Sequence, residues 1–178
     1  MTTPVPEHSD PASVQQRPTV AVIGVGNALG HDDAAGLEIV RRLRKRAKTA
    51  AIAVYEQEAE TLALLDIWED ADAVVLVDAI RCGGRPGTIH RFDATSAPIP
   101  APARNSSSTH AVGLSEAIEL ARTLNRLPGR IVLFGVEGRR FDAGRGLSAE
   151  VEAVAGELAD AVLREAFELR EAFELRWG

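Results

Sequence analysis

Cysteine is almost absent from this chain: one residue of 178, Cys82. A single cysteine excludes an intrachain disulfide and a thiolate-cluster metal site, and it fits a reducing cytoplasm. A long apolar run is missing too. No segment approaches the roughly 20 residues that cross a bilayer, so a soluble protein without a membrane partner is expected. Positive charge is in deficit, with 20 Lys and Arg against 26 Asp and Glu and a formal net charge of −6. That excludes a broad basic face for nucleic acid or anionic lipid. The one basic cluster, Arg41, Arg42, Arg44, Lys45, Arg46 and Lys48, reads as the solvated side of a helix. Residues 1–18 are polar and contain proline but no apolar h-region, so they are expected to form a disordered tail rather than a signal peptide.

What is present alternates between two periodicities. Apolar runs at 19–24, 51–56, 71–80 and within GRIVLFGVEG read as strands, the third so apolar that it belongs in the middle of a sheet. TIHRF alternates and reads as an edge or antiparallel strand. Between them, Ala34–Lys48 places Leu37, Val40, Leu43 and Ala47 on one stripe, Thr61–Trp68 is a short helix, and Ala111–Leu124 is another. The Pro-, Ala- and Ser-rich stretch APIPAPARNSSST reads as a loop too polar to be core. A last long helix starts after Ser148, which stands at the N-cap. This order predicts a three-layer α/β sandwich, with a mostly parallel twisted sheet of about five strands and helices on both faces. One domain over 19–169 is expected, with 170–178 as a helical extension and the protein monomeric.

The terminus carries a tandem repeat, REAFEL-REAFEL, at 164–175. Six residues advance a helix by about 600°, so Phe167 and Phe173 point roughly 120° apart and cannot share a buried stripe. The repeat reads as solvated, and truncation after 169 is expected to leave activity intact.

GVGNALGHDDAAG, residues 24–36, joins the first strand to its helix as a dinucleotide loop does. Gly24 and Gly26 match the first two fingerprint glycines, Leu29 occupies the third position, and Glu56 ends the second strand where a ribose contact would lie. Charge argues the other way. A pyrophosphate needs the free N–H groups of a helix start, and Asp32 and Asp33 already fill that turn without a neighbouring Lys or Arg. They suit a cation.

Ligands of an open parallel sheet gather beyond the carboxyl ends of its strands. Asp33 follows strand one, Asp78 closes the run VVLVD, and His110 begins the helix after the serine-rich loop, where an imidazole is biased toward its neutral, metal-coordinating form. Each has a simpler reading: Asp33 as a helix-dipole partner, Asp78 as a turn acceptor, His110 as an ordinary polar residue. Two carboxylates and an imidazole suit nickel or zinc. A serine triad from Ser106, Ser107 or Ser108 with His110 and Asp78 lacks a nucleophile elbow, a Cys82–His110 thiol hydrolase has no better support, and no P-loop is present.

GVGNALGHDDAAG, LVDAI and STHAVGL, in this order, resemble the hydrogenase maturation proteases, which process the large subunit of nickel hydrogenases. The resemblance runs from about Val20 through the terminal helix and implies an α/β fold. It also implies that Asp33, Asp78 and His110 are the site residues, both metal-binding and catalytic. The metal implied is nickel carried by the precursor of the large subunit, with zinc or cadmium able to substitute in vitro. The implied reaction is removal of a C-terminal peptide; on chemical grounds Asp33 or Asp78 is then a candidate general base, a weak one while it holds the metal. A non-cleaving, nickel-dependent maturation chaperone is the alternative within the same resemblance. Two departures stand out: EQEAET replaces a glycine-containing stretch after the second strand, where Glu56 stands in for an aspartate, and His31 precedes the acidic pair, read as a solvent-exposed loop residue rather than a fourth ligand.

Overall fold

A computed structural model describes residues 19–49, 52–58, 61–99 and 109–177. The expected tail at 1–18 and most of the serine-rich loop lie outside the described residues. Five strands form: β1 (Val20–Val25), β2 (Ala53–Gln57), β3 (Ala73–Ile80), β4 (Ile89–Asp93) and β5 (Arg130–Glu137). Among the described residues four α-helices accompany them: α1 (Ala35–Thr49), α2 (Thr61–Glu69), α3 (Thr109–Thr123) and α4 (Ala149–Trp177). The sheet order is β2-β1-β3-β5-β4. All pairs are parallel except β4 with β5, which is the antiparallel edge that the alternation of TIHRF predicts.

Strand alternation divides the core in two. Val20, Val22, Val75, Val77, Val132 and Phe134 face α1 and α4, while Ala21, Ile23, Val74, Leu76, Ile131 and Leu133 face α2 and α3. Every β1 and β3 residue is buried, as strands covered on both faces require. Ile99 is buried as well, at 3% exposure. A stretch expected to stay out of the core because of its prolines and serines therefore delivers one apolar anchor.

The basic cluster on α1 does more than meet solvent. Arg41 and Arg44 reach Glu56 on β2 at 2.8 and 2.6 Å, Arg42 reaches Glu152 at 2.7 Å and Arg46 reaches Asp160 at 2.5 Å, both on α4. Exposed pairs contribute only about 0–1 kcal/mol each, but these four tie α1 to its neighbours on two sides.

The terminal helix runs unbroken through residue 169, and its two repeat copies differ in environment. Phe167 is 39% exposed. Phe173 packs against the α1/α4-side core and lies against Gly129, where a Cβ would come within 3.0 Å of its ring. The two phenylalanines do point apart, but the second is not solvated as expected. Phe173→Ala should lower stability by roughly 1–2 kcal/mol, read as a shift of the denaturation midpoint, whereas Phe167→Ala should stay within about 0.5 kcal/mol. Truncation after residue 169 removes that contact, so it is expected to lower the melting temperature while sparing the remote sheet edge where the site lies.

Candidate active site

The strand order reverses between β1 and β3, since β2 lies to one side of β1 and β5 to the other side of β3. This switch point leaves a crevice beyond the carboxyl ends of the two strands. The β1–β3 ladder ends at Gly24 opposite Val77, and Asp78 is the next residue. β3 continues to Ile80 alongside β5, with Asp78 opposite Gly135. Asp78 is therefore not a strand-end residue but sits where β1 has peeled away, on the α2/α3 face by alternation.

A 3-10 turn, His31–Ala34, carries Asp33 over the same point and packs against β3. Local backbone geometry fixes it. A Cβ on Gly26 would stand 2.0 Å from the Asp33 carbonyl oxygen, so glycine allows the chain to return close enough for the Asn27 N–H to donate to that oxygen at 3.0 Å. The Asp33 N–H donates to the Gly30 carbonyl at 3.0 Å.

Asp33 and Asp78 are 4% and 1% exposed. Burial, with the charge of Asp33 adding to it and the Ala79 N–H opposing, pushes the Asp78 carboxyl well above the usual carboxylate range. One Asp78 oxygen accepts the Ala79 N–H at 2.8 Å. The other, Oδ2, is buried with no hydrogen-bond partner among the described residues. A buried carboxylate oxygen left without a donor is costly, and beside a second carboxylate it is the arrangement that a cation relieves.

His110 is the second residue of α3, in the first turn as expected. The lower end of α3 is fixed by Arg122, which donates to the carbonyls of Thr95 and Ala94 at 2.8 and 2.7 Å, just past the end of β4. The helix therefore begins at the opposite edge, the one holding Asp33 and Asp78, and on the face where Asp78 lies. The His110 side chain itself lies outside the described residues.

The neighbouring acid has a different task. Asp32 is fully buried and accepts N–H groups from Arg139 at 2.8 Å, Arg140 at 2.9 Å and Ser148 at 2.6 Å. Burial alone would raise its carboxyl, but the donors from Ser148, Arg140 and Arg139 outweigh it and lower it. The two adjacent aspartates do not form one cation site. Asp33 faces the crevice, and Asp32 latches the glycine loop to the segment after β5. Asp32→Ala strands three amide donors and should cost roughly 3 kcal/mol, measured by chemical denaturation.

His31 completes that latch, and it is not the exposed residue expected. Its ring is 12% exposed and lies against Gly144, where a Cβ would sit 1.9 Å from Nε2. Nδ1 lies 3.1 Å from the Gly146 carbonyl and Nε2 lies 2.9 Å from the Arg140 guanidinium. A neutral ring protonated at Nδ1 satisfies both contacts, leaving neither nitrogen to coordinate a metal. These contacts hold His31 at φ 50°, a left-handed backbone that a non-glycine residue adopts at some cost.

Two alternatives lose their residues. Glu56 lies opposite Gly24 in the β1–β2 ladder, and both its oxygens are held by Arg41 and Arg44, so it is not presented for a ribose. The Cys82 thiol is raised by burial and by Glu137, the reverse of an activated nucleophile. Glu137 was not anticipated. It is 2% exposed and accepts the N–H groups of Cys82, Gly83 and Gly84 at 2.9 to 3.1 Å, shaping the turn after β3. An acid closing the apolar run RIVLFGV is the same signal that marks Asp78.

Fold and site together define an α/β sandwich with a buried carboxylate pair at its topological switch point. The chain matches the hydrogenase maturation protease family over residues 37–165, a span that includes Asp78 and His110 and begins just past Asp33. A hydrogenase expression/formation protein, HupD of Rhodobacter capsulatus, is 30% identical over 153 residues, covering 85% of this chain and 71% of that one. The hydrogenase 2 maturation protease of Escherichia coli is 30% identical over 152 residues, covering 83% and 92%. In three dimensions the Escherichia coli hydrogenase maturating endopeptidase HybD superposes with a TM-score of 0.69 at 27% identity, over 84% of this chain and 93% of that one. The chain belongs to the hydrogenase maturation proteases and is an endopeptidase.

Proposed function

We propose that this endopeptidase removes the C-terminal extension of a nickel-loaded hydrogenase large-subunit precursor, working as a monomer in the cytoplasm. Asp33, Asp78 and His110 meet the nickel, which arrives as part of the substrate; zinc or cadmium would occupy the same ligands in vitro. The observation that carries this reading is the Asp78 Oδ2 atom, buried beside Asp33 at the switch point without a hydrogen-bond partner among the described residues. Two buried acids and an imidazole form a hard-to-borderline donor set that nickel accepts.

The ligands on this chain would fix the precursor's metal, and with it the scissile peptide, against a rigid sheet edge, which supplies orientation. A carboxylate bound to metal is a poor base. Whichever of Asp33 and Asp78 holds the nickel more loosely is then the one to take a proton from the attacking water.

Purified protein mixed with nickel-loaded and nickel-free precursor should yield a C-terminal mass loss with the loaded form alone, seen by intact-mass spectrometry. Binding without a mass change would leave a chaperone in its place. His110→Ala should abolish the loss, and retained cleavage would remove His110 from the site.

A further inference from the structure

The tip of the glycine loop carries a large apolar side chain with more than half its surface open to solvent. Leu29 is 54% exposed, four residues before Asp33. Its backbone is not loose. The Leu29 N–H donates to Asn27 Oδ1 at 2.9 Å, and its carbonyl accepts the Gly144 N–H at 2.8 Å. Gly30 and Gly144 form a parallel bridge, with the His31 N–H on the Gly144 carbonyl at 3.2 Å. The latch of His31 and Asp32 then holds this pairing from the next two residues. An exposed apolar side chain on an immobilised backbone has the character of an interface anchor, because little ordering entropy remains to be lost on binding.

Arg145 follows Gly144 directly. It is exposed and makes no ion pair or side-chain hydrogen bond with any described residue. Arg41, Arg42, Arg44, Arg46, Arg91, Arg126, Arg130, Arg139 and Arg140 all hold carboxylates; Arg85 and Arg164 share the unpaired state of Arg145 among the described residues, but neither adjoins the glycine loop's bridge. Arg145 borders a groove of about 430 Å³ with Ala28 and Leu147, together with Glu38 and Glu152, which are already taken by Arg41 and Arg42. One apolar residue and one arginine thus flank the Gly30–Gly144 bridge, Leu29 just before Gly30 and Arg145 just after Gly144, and Gly30 lies so close to Asp33 that a Cβ there would stand 3.1 Å from the Asp33 Oδ2 atom.

We infer that Leu29 and Arg145 form the docking point for the precursor, receiving an apolar side chain on Leu29 and an adjacent carboxylate on Arg145. This inference rests on the precursor-trimming reading above. An acidic partner suits it: in a chain of net charge −6 an unpaired arginine is a local attractive feature that selects orientation. Neither residue touches the reacting atoms, so both act on binding alone.

The test measures KM and kcat for nickel-loaded precursor with Leu29→Ser and Arg145→Glu, beside Leu29→Met and Arg145→Lys. Each disruptive variant is expected to raise KM by about tenfold or more at unchanged kcat, with an unshifted melting temperature, and the conservative variants should restore wild-type KM. Wild-type KM in both disruptive variants overturns the docking point, as does a fall in kcat with KM unmoved. A wild-type protein that does not trim loaded precursor at all refutes the proposed function, and the docking point with it, and that outcome is visible before any variant is assayed.

Discussion

Asp78→Asn is expected to abolish trimming of nickel-loaded precursor while leaving the protein at least as stable as before. Asparagine keeps the shape of the side chain and can still accept the Ala79 N–H. It removes the charge that burial and Asp33 both oppose. Loss of activity should be larger than the roughly tenfold to hundredfold typical of residues that only support a metal ligand. The pH dependence gives a second signature. A carboxyl raised in the folded state is still protonated there when it has already ionised in the unfolded chain. Its contribution is therefore full below the unfolded value and declines as pH rises toward the folded one. Wild-type stability should fall across that window, and the variant should lack the fall. Equal slopes in denaturant titrations at several pH values would contradict the buried, coupled acid. An ordinary structural residue would show the opposite pattern, with stability lost and activity surviving in proportion.

Gly36→Ala should be strongly damaging despite its small size. By helix propensity alone, alanine in the first turn of α1 would gain up to about 1 kcal/mol. Packing reverses the sign, since a Cβ there would lie 2.1 Å from the Val25 carbonyl oxygen and 2.3 Å from that of Val77. Both atoms belong to backbone, so the start of α1 must lift from β1 and β3 and carry Asp33 off Asp78. The expected cost is about 3 kcal/mol or more, seen as a lowered melting temperature or loss of folded protein, together with loss of processing. Gly156, on the exposed side of α4, is the control. Nothing lies within 4 Å of a Cβ there, so Gly156→Ala should stabilise by about 0.5–1 kcal/mol. Similar effects at the two positions would mean that close packing is not what demands glycine at 36.

Most of the scaffold was legible because it rests on periodicity. Each strand lies within two residues of its expected position, and even the antiparallel edge followed from the alternation of TIHRF. The placement of Asp33 and Asp78 at one sheet edge was legible for a related reason: a carboxylate in an apolar run such as VVLVD is conspicuous, and open parallel sheets bring the segments at the carboxyl ends of their strands together. What was hidden depends on contacts distant along the chain. Asp32 and Asp33 are identical in type and adjacent, and only the N–H groups of residues 139, 140 and 148 single out Asp32 as the latch. His31 looked exposed because its partners lie beyond residue 139, and the arginines of α1 looked solvated because Glu152 and Asp160 are a hundred residues away. Phe173 docks on Gly129 for a reason that neither copy of the repeat contains.

The latch of Asp32 also sets a schedule. Its three donors lie 107, 108 and 116 residues downstream, and synthesis proceeds from the N-terminus at about 5–20 residues per second, so the glycine loop waits on the order of 5–20 seconds for them. During that interval β1 and β3 can pair, yet the turn that aims Asp33 has nothing to fasten to. A nascent chain that has not yet supplied residues 139–148 lacks these three donors, and the turn that carries Asp33 is left unfastened on that side.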